Sequence, residues 1–348
     1  MRVMHVMAGA DEGGAENIML ESVSALADAG LEQHVITRPN NRFRLDTFDR
    51  AGIGCTTCSF NLRWPFPTRK KIRQAIEQFR PDVIEYWMGR AGQFAVAEHR
   101  SCSLAWYGGY YKLERFTNCE WHVGLTKDLL RHIREQGVAE DRSLIVHTYA
   151  DFEDAEPVDR ADLKTPADAP VALALARLHE KKGLDTLLDA TKQVEGLHVW
   201  IAGDGPLEET LKEQARSLGL EDRVRFLGWR NDRGSLLAAC DFVAFPSRYE
   251  PFGTVTVDAW AANKPLVAAD AVGPAAYVED GVSGLMVPKN DVQALAHAMR
   301  RVIQEEGLAQ QLVAGGKAAY EAQFTKAAYV RDQIEAYERV IAASPAAR

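Results

Sequence analysis

Two acidic residues, Glu250 and Asp258, stand on either side of the turn Pro251-Phe252-Gly253. Glu250 follows the apolar run Asp241 to Phe245, which reads as a buried strand. Proline fixes φ and glycine lets backbone approach closely, so the Pro-Phe-Gly step is a forced turn. A helix is expected to begin near Thr254 and to carry Asp258 about one turn in. The free N–H groups and positive dipole of that helix start favour a phosphate. Acids on both sides of the phosphate can accept hydrogen bonds from hydroxyls. This arrangement suits a ligand built as sugar, diphosphate and nucleoside.

Three further segments fall where a strand runs into a helix. Arg177-Leu-His-Glu-Lys-Lys182-Gly183 follows the apolar run from Val171. Its two cations can clamp a diphosphate, Arg177 through its planar fork and Lys182 as a point charge. The same residues in a plain solvated loop would merely be exposed. Gly203-Asp204-Gly205-Pro206 follows the next strand, and an ordinary turn would use the same letters. Gly13-Gly14-Ala15-Glu16 opens the first helix and can bring backbone N–H groups to a ligand, or simply turn the chain. It is not GxGxxG, so a dinucleotide reading has little support.

These segments need scaffolding. Val3 to Met7, Gln33 to Thr37, Val83 to Tyr86, Ser103 to Trp106, Trp121 to Gly124 and Ser143 to Val146 read as short strands. Helices over 13–29, 68–79 and 126–136 separate some of them. Asp151 to Pro170 is rich in Asp, Ala and Pro and reads as a linker. Alternation then restarts, with strands at 171–176, 198–202, 224–226, 242–245, 266–268 and 284–287, and C-terminal helices over about 308–342. Two β-α series joined by a linker imply two parallel sheets, each covered by helices on both faces. In such sheets ligands sit beyond the carboxyl ends of the strands, so the cleft between two facing domains is the expected site.

Composition narrows the classes. With 348 residues, 47% hydrophobic and 26% charged, the chain is expected to be a soluble protein of two domains. A net charge of −8 argues against a nucleic-acid partner, which would need a basic face. No apolar run approaches a membrane span, and Met1 to Met7 is too short and too polar for a signal peptide, so a cytoplasmic location is expected. The five cysteines are sparse and odd in number, and Cys55 and Cys58 would point to opposite faces of a strand, so neither disulfides nor a metal site is expected. The stretch Asn61 to Arg73 interleaves Trp64 and Phe66 with cations. It could touch anionic lipid at the inner membrane. A solvated helix start with Trp64 folded inward is the favoured reading.

Taken together, Gly-Gly-Ala-Glu, Arg-Leu-x-x-x-Lys-Gly, Gly-Asp-Gly-Pro, Phe-Leu-Gly at 226–228, Pro-Ser-x-x-Glu-Pro-Phe-Gly and Val-Glu-Asp-Gly-Val-Ser-Gly-Leu-Met-Val-Pro at 278–288 resemble the GT-B glycosyltransferases of family GT4, glycosyltransferase group 1. The resemblance is most specific from 171 to 305. It implies an α/β GT-B fold of two Rossmann-like doubly wound parallel-sheet domains. Residues 1–155, rejoined by a terminal helix at about 327–348, would bind acceptor, and residues 165–325 would bind the donor. It implies a metal-independent, retaining hexosyltransferase with no cofactor beyond a UDP- or GDP-linked sugar as co-substrate. The acceptor would be a glycan or lipid-linked glycan in polysaccharide or lipopolysaccharide synthesis.

Carried onto this chain, the resemblance gives Arg177, Lys182 and Glu250 the catalytic roles. The two cations would hold the diphosphate and Glu250 the sugar hydroxyls. Gly14, Gly205, Phe226, Phe252, Gly253 and Thr254 would border the donor, and Asp258 would take the ribose hydroxyls in place of a glutamate. Ala276 stands where the family usually has an acid. Tyr107, with Gly108 and Tyr110, would stand on the acceptor side where many members have a histidine, and plain core packing at the strand end is an equal reading of this aromatic cluster. A tyrosine there is a poor proton acceptor near neutrality. These losses keep open a non-catalytic GT-B scaffold of a glycan-assembly complex; an epimerase acting on the nucleotide-sugar is a third reading, but it would need an acid–base set that the first domain does not obviously supply.

Overall fold

The structure is a computed structural model describing residues 1–11, 13–97, 101–152 and 155–343. Two compact units divide it, Met1–Tyr149 with Lys326–Arg348, and Ala150–Thr325. The first unit runs β1 (Arg2–Met7), α1 (Gly14–Asp28), β2 (Glu32–Thr37), α2 (Arg42–Arg50), β3 (Gly54–Thr57) and α3 (Phe66–Phe79). It continues with β4 (Val83–Trp87), α4 (Met88–Gly92), β5 (Cys102–Tyr107), β6 (Trp121–Gly124), α5 (Lys127–Glu135) and β7 (Ser143–Ile145). Among the described residues its strands lie in the order β3-β2-β1-β4-β5-β6-β7, with every pairing parallel. The chain order reverses between β1 and β4.

The second unit runs β8 (Val171–Leu175), α6 (Leu184–Lys192), β9 (His198–Ala202), α7 (Glu208–Ser217), β10 (Val224–Gly228), α8 (Arg233–Ala239) and β11 (Phe242–Phe245). Then come α9 (Thr254–Ala261), β12 (Leu266–Ala269), α10 (Val272–Ala275), β13 (Leu285–Val287), α11 (Val292–Gln304) and α12 (Leu308–Gln323). The strand order is β10-β9-β8-β11-β12-β13, again parallel throughout. Here the reversal falls between β8 and β11. The sheet is buried on both faces: Ala172 and Ala174 enter one core with Val199 and Ile201, while Leu173 and Trp200 on the opposite face are equally covered. Strands buried on both sides read as continuous apolar runs, which is how these segments appear in the sequence. Each fully buried aliphatic side chain contributes about 1.5–3 kcal/mol to the core.

The last helix, α13 (Lys326–Ala342), packs in the first unit. The Tyr337 hydroxyl donates to Glu85 at 2.8 Å, Lys326 pairs with Asp28 at 2.6 Å, and the rings of Tyr149 and Tyr329 lie 5.2 Å apart. Residues 344–348 of the expected terminal segment and 153–154 of the linker lie outside the described residues.

Two local expectations change. Helix α2 carries few apolar residues, and only Arg44 and Phe48 are buried, so hydrophobic periodicity does not reveal it. Trp64 does not fold inward. It is 63% exposed beside Phe66 at 66%, the rings edge to face at 5.7 Å, and Leu62 next to them is also exposed. Pro65 immediately precedes α3, so the chain turns before Trp64 can reach the core, while α3 buries Thr68, Ile72, Ala75 and Ile76 instead. Cys55 is exposed and Cys58 buried, as alternation along an extended segment requires.

Candidate active site

The reversal between β8 and β11 brings together the loops that follow these two strands, and two of the sequence candidates, Lys182 and Glu250, meet there. After β8 the chain passes Arg177, makes a 3₁₀ turn over Glu180–Lys182 and enters α6 through Gly183, whose φ is +63°. The second loop runs from Pro246 to Gly253. The Lys182 ammonium donates to Glu250 Oε2 in a largely buried ion pair. The Arg177 guanidinium is exposed and makes no hydrogen bond or ion pair among the described residues.

Arg248 sets the register of the two loops. Its guanidinium donates to the Glu180 carbonyl at 2.6 Å, to Asp185 Oδ2 at 2.6 Å, to Thr186 Oγ1 at 3.0 Å and to Asn290 Oδ1. The backbone N–H groups of Arg248 and Tyr249 both donate to the Lys181 carbonyl, at 2.8 and 3.2 Å. The Lys181 ammonium lies over the Tyr249 ring, 4.6 Å from its centroid. Lys182 and Glu250 therefore face each other because a planar five-donor fork ties one loop to the other. Sequence reasoning passed over Arg248, which makes its contacts some forty to seventy residues away.

The Gly-Asp-Gly-Pro segment packs beneath the same loop. Leu178 N–H donates to the Asp204 carbonyl at 2.7 Å, and Leu207 N–H donates to the Leu178 carbonyl at 3.1 Å. Gly205 has φ +155°, and a Cβ there would run into the backbone of Leu178. Gly205 thus has a packing reason to be glycine, in keeping with the turn reading. Phe226, on β10, is half-buried against the unit's core.

Helix α9 begins at Thr254, as expected, with Gly253 before it at φ +86°. No side chain caps the helix, and the Thr256 N–H donates to the Gly253 carbonyl at 3.0 Å, so the N–H groups of Thr254 and Val255 are left for a ligand or water. The Phe252 ring is buried against Tyr277, 5.4 Å away, and the Tyr277 hydroxyl donates to the carbonyls of Phe252 and Gly253. Glu250 is anchored at its backbone, where its carbonyl accepts from Gly273 N–H at 2.8 Å. The turn is held from behind, and its N–H groups are free of side-chain caps.

Asp258 is buried, with Arg233 Nη2 at 3.7 Å. Arg233 also lies over the Phe152 ring at 5.2 Å. Burial pushes the Asp258 carboxyl above its ordinary value of 3.8, and Arg233 opposes the rise. The folded state therefore holds a proton on Asp258 to higher pH than the unfolded chain does. The stability this contributes is present below pH 3.8 and is lost as pH rises through the folded value. An Asp258→Asn variant is expected to gain stability relative to the parent as pH is raised from 4 toward neutrality. Paired thermal melts across that range check the sign; a parent that gained on the variant would reverse it.

In the first unit, Gly14 starts α1 with open space where a Cβ would stand, so packing does not require glycine there. The preceding turn is held by Glu16, whose Oε1 accepts from Ala10 N–H at 2.7 Å. Tyr107 requires a correction. Strand β5 extends through it, and the ring is fully buried against Ala105, Phe116 and Ile133. Its hydroxyl lies 3.2 Å from His122 Nδ1, and burial pushes its pKa up while lowering that of His122 to about 4. Tyr107 is a core residue and offers no hydroxyl to an acceptor. Gly108 and Tyr110 are half-buried at the end of β5, and the Tyr110 hydroxyl is held by Asp128.

Two parallel α/β units, the second with a basic loop, a strand-end glutamate and an uncapped helix start at its reversal point, define a GT-B glycosyltransferase. The model of glycosyl transferases group 1 matches residues 156–319. The lipopolysaccharide core biosynthesis glycosyltransferase LpsD of Rhizobium meliloti is 34% identical over 98% of this chain and 99% of its own length. LpsE of the same organism is 32% identical over 99% of this chain and 100% of its own. The crystal structure of Anabaena HepE in complex with UDP-glucose superposes with a TM-score of 0.85 at 23% identity, covering 97% of this chain and 99% of that one. The chain belongs to the group 1 glycosyltransferases.

Proposed function

We propose that the protein transfers a sugar, with retention of anomeric configuration and without a metal, from a UDP- or GDP-linked donor to a glycan or lipid-linked acceptor of the lipopolysaccharide core. The observation that carries this reading is the Lys182–Glu250 pair, set by Arg248 beside the uncapped start of α9. The diphosphate takes the place of Glu250 as partner to Lys182, with Arg177 as the second cation. Glu250, released, accepts from donor sugar hydroxyls. Asp258 receives the ribose hydroxyls, and Phe226 borders the base. As the bond from C1 to the phosphate oxygen breaks, negative charge grows on the diphosphate, where Arg177, Lys182 and the α9 N–H groups strengthen their hold. The acceptor oxygen bonds to C1 from the same face, and its proton passes to the departing phosphate oxygen. The names of the two full-length relatives support the lipopolysaccharide core as the setting, and the complex of HepE with UDP-glucose supports uridine as the donor base.

Incubation with UDP-glucose, UDP-galactose and GDP-mannose without acceptor is expected to release nucleoside diphosphate slowly from one of them, unchanged by EDTA. Proton NMR of the first-formed sugar reports the anomer. Inverted product, or release abolished by EDTA, would remove the retaining or metal-free part of the proposal.

The exposed Leu62, Trp64 and Phe66, followed by Arg69, Lys70, Lys71 and Arg73, support peripheral contact with the cytoplasmic face of an anionic membrane. No helix among the described residues is long and apolar enough to cross one. The protein is expected to float with phosphatidylglycerol vesicles, and a Trp64→Ala/Phe66→Ala variant to float less. Parent protein that stays at the bottom of the gradient would end the membrane reading.

A further inference from the structure

The second unit binds its ligand, on the reading above, where its strand order reverses. The first sheet has its own reversal, between β1 and β4, and three arginines gather on the loops around it. Arg38 follows β2 and donates to the Gly9 carbonyl, beyond β1, at 3.4 Å. Arg44, at the start of α2, is 97% buried and donates to the carbonyls of Ala10 and Asp11 at 2.9 and 3.1 Å. Arg90 follows β4 and, among the described residues, reaches only the Phe60 carbonyl, at 3.4 Å. Two of these contacts are long and weak. Arg38 Nε and Arg44 Nη1 are buried without a hydrogen-bond partner.

Such an arrangement is costly as it stands. Burial and the neighbouring Arg90 charge both push the Arg38 pKa down, with Asp11 opposing. Asp11 and Glu16 are the carboxylates that act on Arg44. Glu16 also accepts from the Ala10 N–H, so among the described residues two carboxylates, Asp11 and Glu16, stand against three guanidinium groups. Like charges held together at a strand-end reversal, with donors unspent, have the form of an oxyanion site.

We infer that the first unit recognises an anionic acceptor, a sugar bearing a phosphate or carboxylate, which Arg38 and Arg90 grip in front of the turn at Gly9 to Asp11 that Arg44 holds in place. The inference rests on the proposed transferase reading and adds the chemical class of its acceptor.

Calorimetric titration of the full chain, in phosphate-free buffer, with glucose 6-phosphate, glucuronate and glucose tests it. The two anionic sugars are expected to bind and glucose not to; the tighter anion identifies phosphate or carboxylate. Arg38→Gln and Arg90→Gln are each expected to weaken anion binding about tenfold, the value of one charge-assisted hydrogen bond. Arg90 is exposed and has a single hydrogen bond among the described residues, so its variant is expected to fold even if Arg38→Gln does not, and melting curves check both. A control variant, Arg177→Ala/Lys182→Ala, removes the donor-side cations and is expected to bind the anionic sugars as the parent does. The inference is overturned if glucose binds equally, if neither anion binds the parent, if Arg90→Gln binds as the parent does, or if binding vanishes in the control. Nucleoside diphosphate binding that still depends on Lys182 would then leave the transferase reading standing.

Discussion

Replacing Lys182 with alanine is expected to lower sugar transfer by about 10²–10³-fold, the range seen when one preorganised donor to a developing anion is removed. The folded state is expected to lose no more than about 1–2 kcal/mol, because Lys182 is a loop residue outside the apolar core. Without ligand its charge is answered by Glu250; with donor bound it is answered by the diphosphate, whose charge grows as the glycosidic bond breaks. The interaction is strongest where the barrier lies, so its loss falls on kcat rather than on KM alone. Glu250→Ala removes the same ion pair yet spares the diphosphate contact. If the pair mattered only as a structural tie, the two variants and their double mutant would be equally impaired. The account predicts instead that the double mutant is worse than either, measured as kcat with a fixed donor and acceptor.

Arg248→Ala is expected to reduce kcat/KM by about 10²-fold, although Arg248 is given no contact with the ligand, because a misplacement of about 1 Å in a reacting group costs that much. Its guanidinium joins Glu180, Asp185, Thr186 and Asn290, and without it the Lys182 loop and the Glu250 loop lose their common register. Lysine offers one point charge in place of a planar fork, so Arg248→Lys is expected to recover little. Steady-state kinetics with a melting curve separates this from unfolding. Full recovery by lysine would mean that charge alone, not the fork, is at work. An unchanged kcat/KM in the alanine variant would release the two loops from any dependence on Arg248.

The strands and helices that frame the site were legible because they are buried on both faces and punctuated by glycine and proline. Val171–Leu175 and Phe242–Phe245 are continuous apolar runs, and Gly183 and Gly253 mark helix starts that the structure places at Leu184 and Thr254. That Lys182 and Glu250 both lie in loops after strands was legible; their direct pairing was not. Arg248 and Arg233 were not legible, since their partners are distant in sequence and nothing local distinguishes them from solvated arginines. Tyr107 was misplaced by assuming that β5 stops at Trp106; one more residue of strand carries the ring into the core. Trp64 was misplaced by the general preference of tryptophan for the interior, which the proline at 65 overrides. Helix α2 escaped because a helix that buries only Arg44 and Phe48 has almost no apolar stripe to read.

The measurement that bears most directly on the central claim is the thermal shift produced by UDP and GDP on the parent and on Lys182→Ala. A ligand of the native state at a hundred times its dissociation constant adds about 2.7 kcal/mol. The account predicts a rise in melting temperature with one of the two nucleotides for the parent, and a rise several degrees smaller for the variant at the same concentration. A parent unmoved by either nucleotide, or a variant that responds as fully as the parent, would contradict a diphosphate held by Lys182 at the start of α9.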